Sequence, residues 1–105
     1  MLKKIFLSTI LLLLLAGCSG HTTSMQDVTS FCRSLSTEEF CDTQDSICAK
    51  YSEIMLSPYN SAKECRMSCE NVRMKLNRHP EQQECLQLIR NVEGKCNEFC
   101  NSNYK

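Results

Sequence analysis

The chain has no tryptophan, and phenylalanine and tyrosine are few. Large rings that fill the centre of bigger domains are scarce, so the expected core is thin. The chain also has no surplus of basic residues: twelve Lys and Arg meet twelve Asp and Glu. A nucleic-acid binder needs a basic face, and a polybasic membrane patch needs clustered cations, so neither class is supported. No segment sustains period-two alternation, which leaves no strand to expect. There is no Cys-x-x-Cys, so a thioredoxin-like redox role lacks its motif. There is no Cys-x-x-Cys-His, so covalent haem is not indicated. No serine, histidine or aspartate stands in a recognisable nucleophile setting, and no cofactor is implied. What is abundant is cysteine: nine residues in a chain of 105.

The ninth cysteine explains itself by its neighbours. Lys3 and Lys4 precede an apolar run from Ile5 to Leu15, followed by Ala16, Gly17 and Cys18. A basic start, an apolar stretch of about a dozen residues and small residues at a cut form a secretory signal. The run is too short for a comfortable transmembrane span. Leu15-Ala16-Gly17-Cys18 resembles the lipobox of bacterial lipoproteins. That resemblance implies cleavage before Cys18 and a thioether lipid on its sulfur, with acyl chains such as palmitate completing the anchor. In that family an Asp after the lipidated Cys retains the protein at the inner membrane. Ser19 stands there, so the resemblance implies the outer membrane, periplasmic side. After the cut, loss of Lys3 and Lys4 leaves ten basic against twelve acidic side chains.

The expected organisation is therefore a cleaved signal over 1–17, a lipidated tether over 18–26, a helical domain over 27–101 and a frayed tail over 102–105. Eight tether residues reach at most about 26 Å, so the domain sits close to the bilayer. His21 falls in this tether and reads as a solvated linker residue. The remaining cysteines (Cys32, Cys41, Cys48, Cys65, Cys69, Cys85, Cys96 and Cys100) number eight. An even count in a small exported domain reads as a disulfide framework of four bonds.

Asp27 is placed to cap a short helix carrying Val28, Phe31, Cys32 and Leu35 at three-four spacing. Ser36-Thr37-Glu38-Glu39 matches a capping box for a second helix running to about Met55. Its inward stripe is Cys41, Cys48, Tyr51 and Met55, flanked by Phe40, Ile47 and Ile54. Asp42, Thr43, Asp45 and Ser46 are weak helix formers, placed to break this helix near its start. Pro58 marks a turn, and Ser61-Ala62-Lys63-Glu64 is a second capping box. The third helix carries Ala62, Cys65, Cys69, Val72 and Leu76 and stops near Asn77. Arg78-His79-Pro80 is the next turn, with Pro80 suited to open the fourth helix. That helix carries Cys85, Ile89, Val92, Cys96 and Cys100, with Leu86, Leu88 and Phe99 alongside. Gly94 marks a bend in it. The fold class is all-α: a small disulfide-rich three-helix bundle with a short leading helix.

The pairing of four cysteines follows from geometry. Cys65-x-x-x-Cys69 and Cys96-x-x-x-Cys100 each present two sulfurs on one helical face. Facing positions of an antiparallel hairpin have a constant sum, which pairs Cys65 with Cys100 and Cys69 with Cys96. The alternative pairing crosses the bonds and needs parallel helices, which this short turn forbids. For the other four, Cys41–Cys85 with Cys32–Cys48 is expected, and Cys48–Cys85 with Cys32–Cys41 stays open. Cys41 and Cys48 lie about 10 Å apart along one helix, beyond disulfide reach.

The paired Cys-x-x-x-Cys resembles that of α-hairpinins, stapled helix hairpins with defence and protease-inhibitor roles. The segment between the pairs is longer here and contains Cys85. The resemblance implies a shared hairpin geometry and, for an inhibitor, a basic residue on an exposed loop; Arg78 is the candidate. Four thiols at this spacing also permit a zinc site, against which stand the oxidising compartment and the even count. His79 reads as turn or cap chemistry. Glu38, Glu39, Asp42 and Asp45 read as a solvated run favouring a helix start. Met55, Met67 and Met74 read as core or flank. The functional expectation is a lipid-anchored, non-enzymatic envelope protein that binds another envelope protein. The alternatives are a membrane-displayed inhibitor acting through Arg78 and a thiol-based metal or redox protein.

Overall fold

The computed structural model describes residues 22–36 and 40–105. Four α-helices form among them: α1 (Met25–Ser34), α2 (Gln44–Leu56), α3 (Ala62–Asn77) and α4 (Leu86–Asn103). A 3₁₀ helix over Pro80–Cys85 joins α3 to α4. No strand occurs among the described residues. The fold is small, all-α and disulfide-rich. The signal segment, Cys18 and His21 lie outside the described residues, as do Thr37, Glu38 and Glu39 of the expected capping box.

The helix starts are chemically explicit. Ser24, not Asp27, is the N-cap of α1: its Oγ accepts from the Asp27 N–H at 3.1 Å. The Asp27 carboxylate accepts in return from the Ser24 N–H at 2.9 Å. Asp27 is thus the third residue of a capping box, and two otherwise unpaired donors are satisfied. At α3, Ser61 Oγ accepts from Glu64 N–H at 3.1 Å. Glu64 reaches back one residue further than a standard box, to the Asn60 N–H.

α2 starts at Gln44, eight residues after Ser36. Asp42 and Thr43 form a turn instead, as weak helix formers should when a competing bond is available. That bond is Cys41–Cys85, which ties the pre-helical segment to the end of the 3₁₀ helix. Phe40 consequently points away from the stripe it was expected to flank and is 79% exposed. Gln44 uses its side-chain amide to donate to the carbonyls of Cys32 and Leu35, at 2.8 and 2.9 Å. These are carbonyls that the end of α1 leaves unpaired.

Pro80 opens the 3₁₀ turn rather than α4. The delay rotates Leu86 to the rim, where it is 36% exposed, and buries Leu88 and Ile89 instead. Gly94 produces no break, since α4 is continuous through it. The expected frayed tail is part of the fold. Helix continues to Asn103, Tyr104 meets Tyr59 edge to face at 5.7 Å, and the Lys105 carbonyl accepts from Ala62 N–H.

The helices run alternately down and up. Thr23 at the head of α1 receives a hydrogen bond from Asn103 at the end of α4. The head of α3 meets Lys105 at the same pole. The opposite pole holds Cys41–Cys85 and the turn after α3. The core between them is built from Val28, Ile47, Tyr51, Leu76, Leu88, Ile89 and Val92, with all eight described cysteines buried. Tyr51 is its largest wholly buried side chain. Burying one large apolar side chain stabilises by about 1.5–3 kcal/mol, and so few large ones explain why the cross-links carry so much.

Candidate functional site

The most ordered constellation is a disulfide ladder between α3 and α4. Cys65 bonds Cys100 with Cα atoms 5.5 Å apart, and Cys69 bonds Cys96 with Cα atoms 6.1 Å apart. Both values are ordinary for a disulfide, so the two rungs fix α3 against α4 covalently at this level. The rungs stack: the Cys69 and Cys100 sulfurs are 3.6 Å apart. The remaining bonds are Cys32–Cys48, joining α1 to α2, and Cys41–Cys85. The structure thus brings together the same four pairs that helix geometry favours, and the swapped arrangement of Cys32, Cys41, Cys48 and Cys85 does not form.

The sulfurs of Cys69, Cys96 and Cys100 lie within 4.8 Å of one another, close enough to share a metal ion if they were thiolates. As disulfides they offer no thiolate to a metal or to an exchange partner.

Below the ladder, Arg73 of α3 pairs with Glu93 of α4 through Nε, an ion pair without hydrogen-bond alignment. A second carboxylate, Glu70, lies 3.7 Å from the same guanidinium. Tyr51 projects from α2 toward this seam, and its hydroxyl donates to the Ile89 carbonyl at 3.5 Å. Burial raises the Tyr51 pKa well above its ordinary value; the nearby Glu93 charge adds to the rise and Arg73 opposes it. The phenol is therefore a neutral clamp between α2 and α4 at any ordinary pH.

The Arg78 turn is exposed, as its expected role requires. Its backbone is not extended: φ is −77° and ψ −16°, and its N–H donates to the Lys75 carbonyl. His79 is likewise exposed, with its N–H on the Leu76 carbonyl. Asp45 sits in the first turn of α2, where its charge favours the helix dipole. The methionines separate: Met55 is buried, while Met67 and Met74 of α3 are 53% and 40% exposed.

One concavity was missed by sequence reasoning. α2 and α3 leave a groove of about 450 Å³ between them. Its floor is Ile54, Val72 and Leu76, its walls carry Lys50 and Lys75, and Tyr59 stands at one end. Tyr59 is held there by a 2.9 Å hydrogen bond from its hydroxyl to the Ile54 carbonyl. The signal was present but distributed: polar residues on α2 and α3 recur beside the apolar stripe, and nothing local shows that two such flanks meet. No helix among the described residues is long and apolar enough to cross a membrane. Comparison with protein-family models, curated proteins and solved structures found no match to this chain.

Proposed function

We propose that this chain is a lipid-anchored cell-envelope protein, without enzymatic activity, that binds another envelope protein. The observation that carries the reading is Leu15-Ala16-Gly17-Cys18 at the end of a basic-started apolar leader. Roles consistent with it include an accessory subunit of secretion machinery or an exclusion or immunity lipoprotein of a mobile element. Ser19 favours the outer membrane, periplasmic side. Eight cysteines in four bonds suit an oxidising compartment. The thin core and the absence of a basic surplus leave protein partners as the best-supported class.

The orientation follows. Four residues lie between Cys18 and Thr23, and the five backbone steps reach at most about 17 Å. Thr23 sits at the pole of Asn103 and Tyr104, so that pole faces the bilayer and the Cys41–Cys85 pole faces away. A single acyl chain holds only marginally, while several hold firmly. The test is intact mass and fractionation of the wild type beside Cys18→Ala. The wild type should begin at Cys18, carry acyl mass and sediment with membranes. The variant should be soluble and folded. A variant that still partitions wholly with membranes would sink the anchor.

A further inference from the structure

The groove between α2 and α3 has a charge pattern that the fold does not use. Its two walls can be brought to a common height through α4. The rungs pair α3 and α4 positions of constant sum, which sets Ile89 opposite Leu76. Tyr51 reaches the Ile89 carbonyl, so Tyr51 stands level with Leu76. Lys50 and Lys75 are each one residue removed from these and therefore lie at nearly the same height, one on each wall. Both are exposed. Neither has a carboxylate within ion-pair distance or a side-chain hydrogen bond among the described residues. Glu53, one turn above Lys50 on the same wall, pairs with neither.

Lys50 and Lys75 put two positive charges on the groove walls against the single carboxylate of Glu53, and a partner carboxylate placed between the two walls is attracted by both. Just above them the floor is aliphatic. Ile54 and Leu76 are 8% and 2% exposed, and Val72 is partly buried against the core. We propose that this groove takes an acidic segment of a partner protein, with one carboxylate side chain between Lys50 and Lys75 and a neighbouring aliphatic side chain on Ile54, Val72 and Leu76. A small free ligand is disfavoured, because such sites bury most of the ligand's surface, whereas these walls are formed by exposed side chains. The inference deepens the protein-binding reading and rests on it for the kind of occupant.

The test uses the whole purified protein, isotope-labelled in detergent micelles, and amide shift changes by NMR. The probes are blocked peptides of leucine and glutamate at helical spacing, the same peptides with lysine for glutamate, and inorganic phosphate. The glutamate peptide should shift the amides of Ile54, Asn71, Val72 and Lys75, and its binding should weaken as salt screens the charges. The double variant Lys50→Glu/Lys75→Glu should bind it about tenfold more weakly and prefer the lysine peptide. Both positions are exposed, so its thermal melt should match the wild type. Equal response to the two peptides, shifts confined to the Phe40 pole, or no shifts would overturn the proposal. Phosphate reproducing the glutamate pattern would overturn its apolar half. A failed groove with a lipidated Cys18 leaves the anchor reading standing, and an unlipidated Cys18 with a working groove does the reverse.

Discussion

Removing the ladder one rung at a time should reveal a specific non-additivity. The perturbation is Cys65→Ala/Cys100→Ala for the outer rung, Cys69→Ala/Cys96→Ala for the inner, and all four together. The rungs span sequence separations of 35 and 27 residues. In the chain-entropy treatment, closing such loops alone stabilises by about 3.8 and 3.6 kcal/mol. The second rung closes much less chain, because the first already brings its ends together within a ring of about ten residues, worth about 2.7 kcal/mol. Both rungs together then contribute about 6 kcal/mol, and losing either one from the intact protein costs about 2.5–3 kcal/mol. The quadruple variant should therefore lose roughly 1 kcal/mol more than the two pairwise losses combined. Urea midpoints, with slopes checked for constancy, give these differences. Each pairwise variant empties two buried sulfur positions and the quadruple variant empties all four, so that cost drops out of the difference between the quadruple loss and the two pairwise losses. A single-rung variant with an unshifted midpoint would refute the reasoning, since that rung would then not be closed in the folded protein. A quadruple loss no larger than one pair's would refute the ladder itself.

Gly94→Ala should stabilise the domain by about 0.5–1 kcal/mol, because a Cβ there meets nothing within 4 Å and the helix runs through unbroken; thermal melts check it. Tyr51→Phe should lose about 0.5–1.5 kcal/mol by removing the hydroxyl's bond to the Ile89 carbonyl, which keeps its own partner within α4. In wild type the raised Tyr51 pKa favours the neutral phenol in the folded state. That contribution is fully present below the unfolded value near 10 and is lost as pH climbs beyond it. Ultraviolet titration should show one phenol ionising only with unfolding, and a folded protein with every tyrosine ionised would contradict this. Asn103→Ala should destabilise by about 1 kcal/mol, since its amide donates to both Thr23 and Phe99 carbonyls, with exchange of the α1 amides as the readout.

The long helices were legible because their periodicity is carried by cysteines and aliphatics that tertiary packing reinforces. Ala62, Cys65, Cys69 and Leu76 face inward as their spacing requires. The pairing of the rungs was legible too, since an antiparallel hairpin has only one uncrossed arrangement. Boundaries were less so. Asp27 reads as the cap of α1, whereas Ser24 takes that place, and local sequence does not reveal that Gln44 will spend its amide on the end of α1. Pro80 suits a first helical position, and nothing local in the sequence shows that the turn it opens is 3₁₀ and ends at the Cys41–Cys85 bond. The tail was misjudged for the same reason. Tyr104 and Lys105 look unattached until Tyr59 and Ala62 arrive from elsewhere in the chain.

The cross-links also account for where the groove opens. α3 is held to α4 by two covalent rungs and the Arg73–Glu93 pair. α2 is held to α1 by Cys32–Cys48 and a 2.9 Å hydroxyl contact between Thr29 and Ser52, and to α4 by Tyr51. Every helix is thus cross-linked or hydrogen-bonded to a neighbour outside the seam between α2 and α3. By the same register that levels Tyr51 with Leu76, α2 ends at Leu56 about level with Asn71, while α3 climbs two further turns to Ala62. The extended segment 57–61 spans that difference, and Tyr59 folds back from it onto Ile54. A close-packed domain with a larger core would have to fill this seam with apolar contacts. Here the disulfides relieve it of that duty, so lysines and amides can stand where core residues otherwise would. The stapled fold and the open, cationic groove are two consequences of one choice: stability placed in covalent bonds leaves a helix seam free to recognise something else.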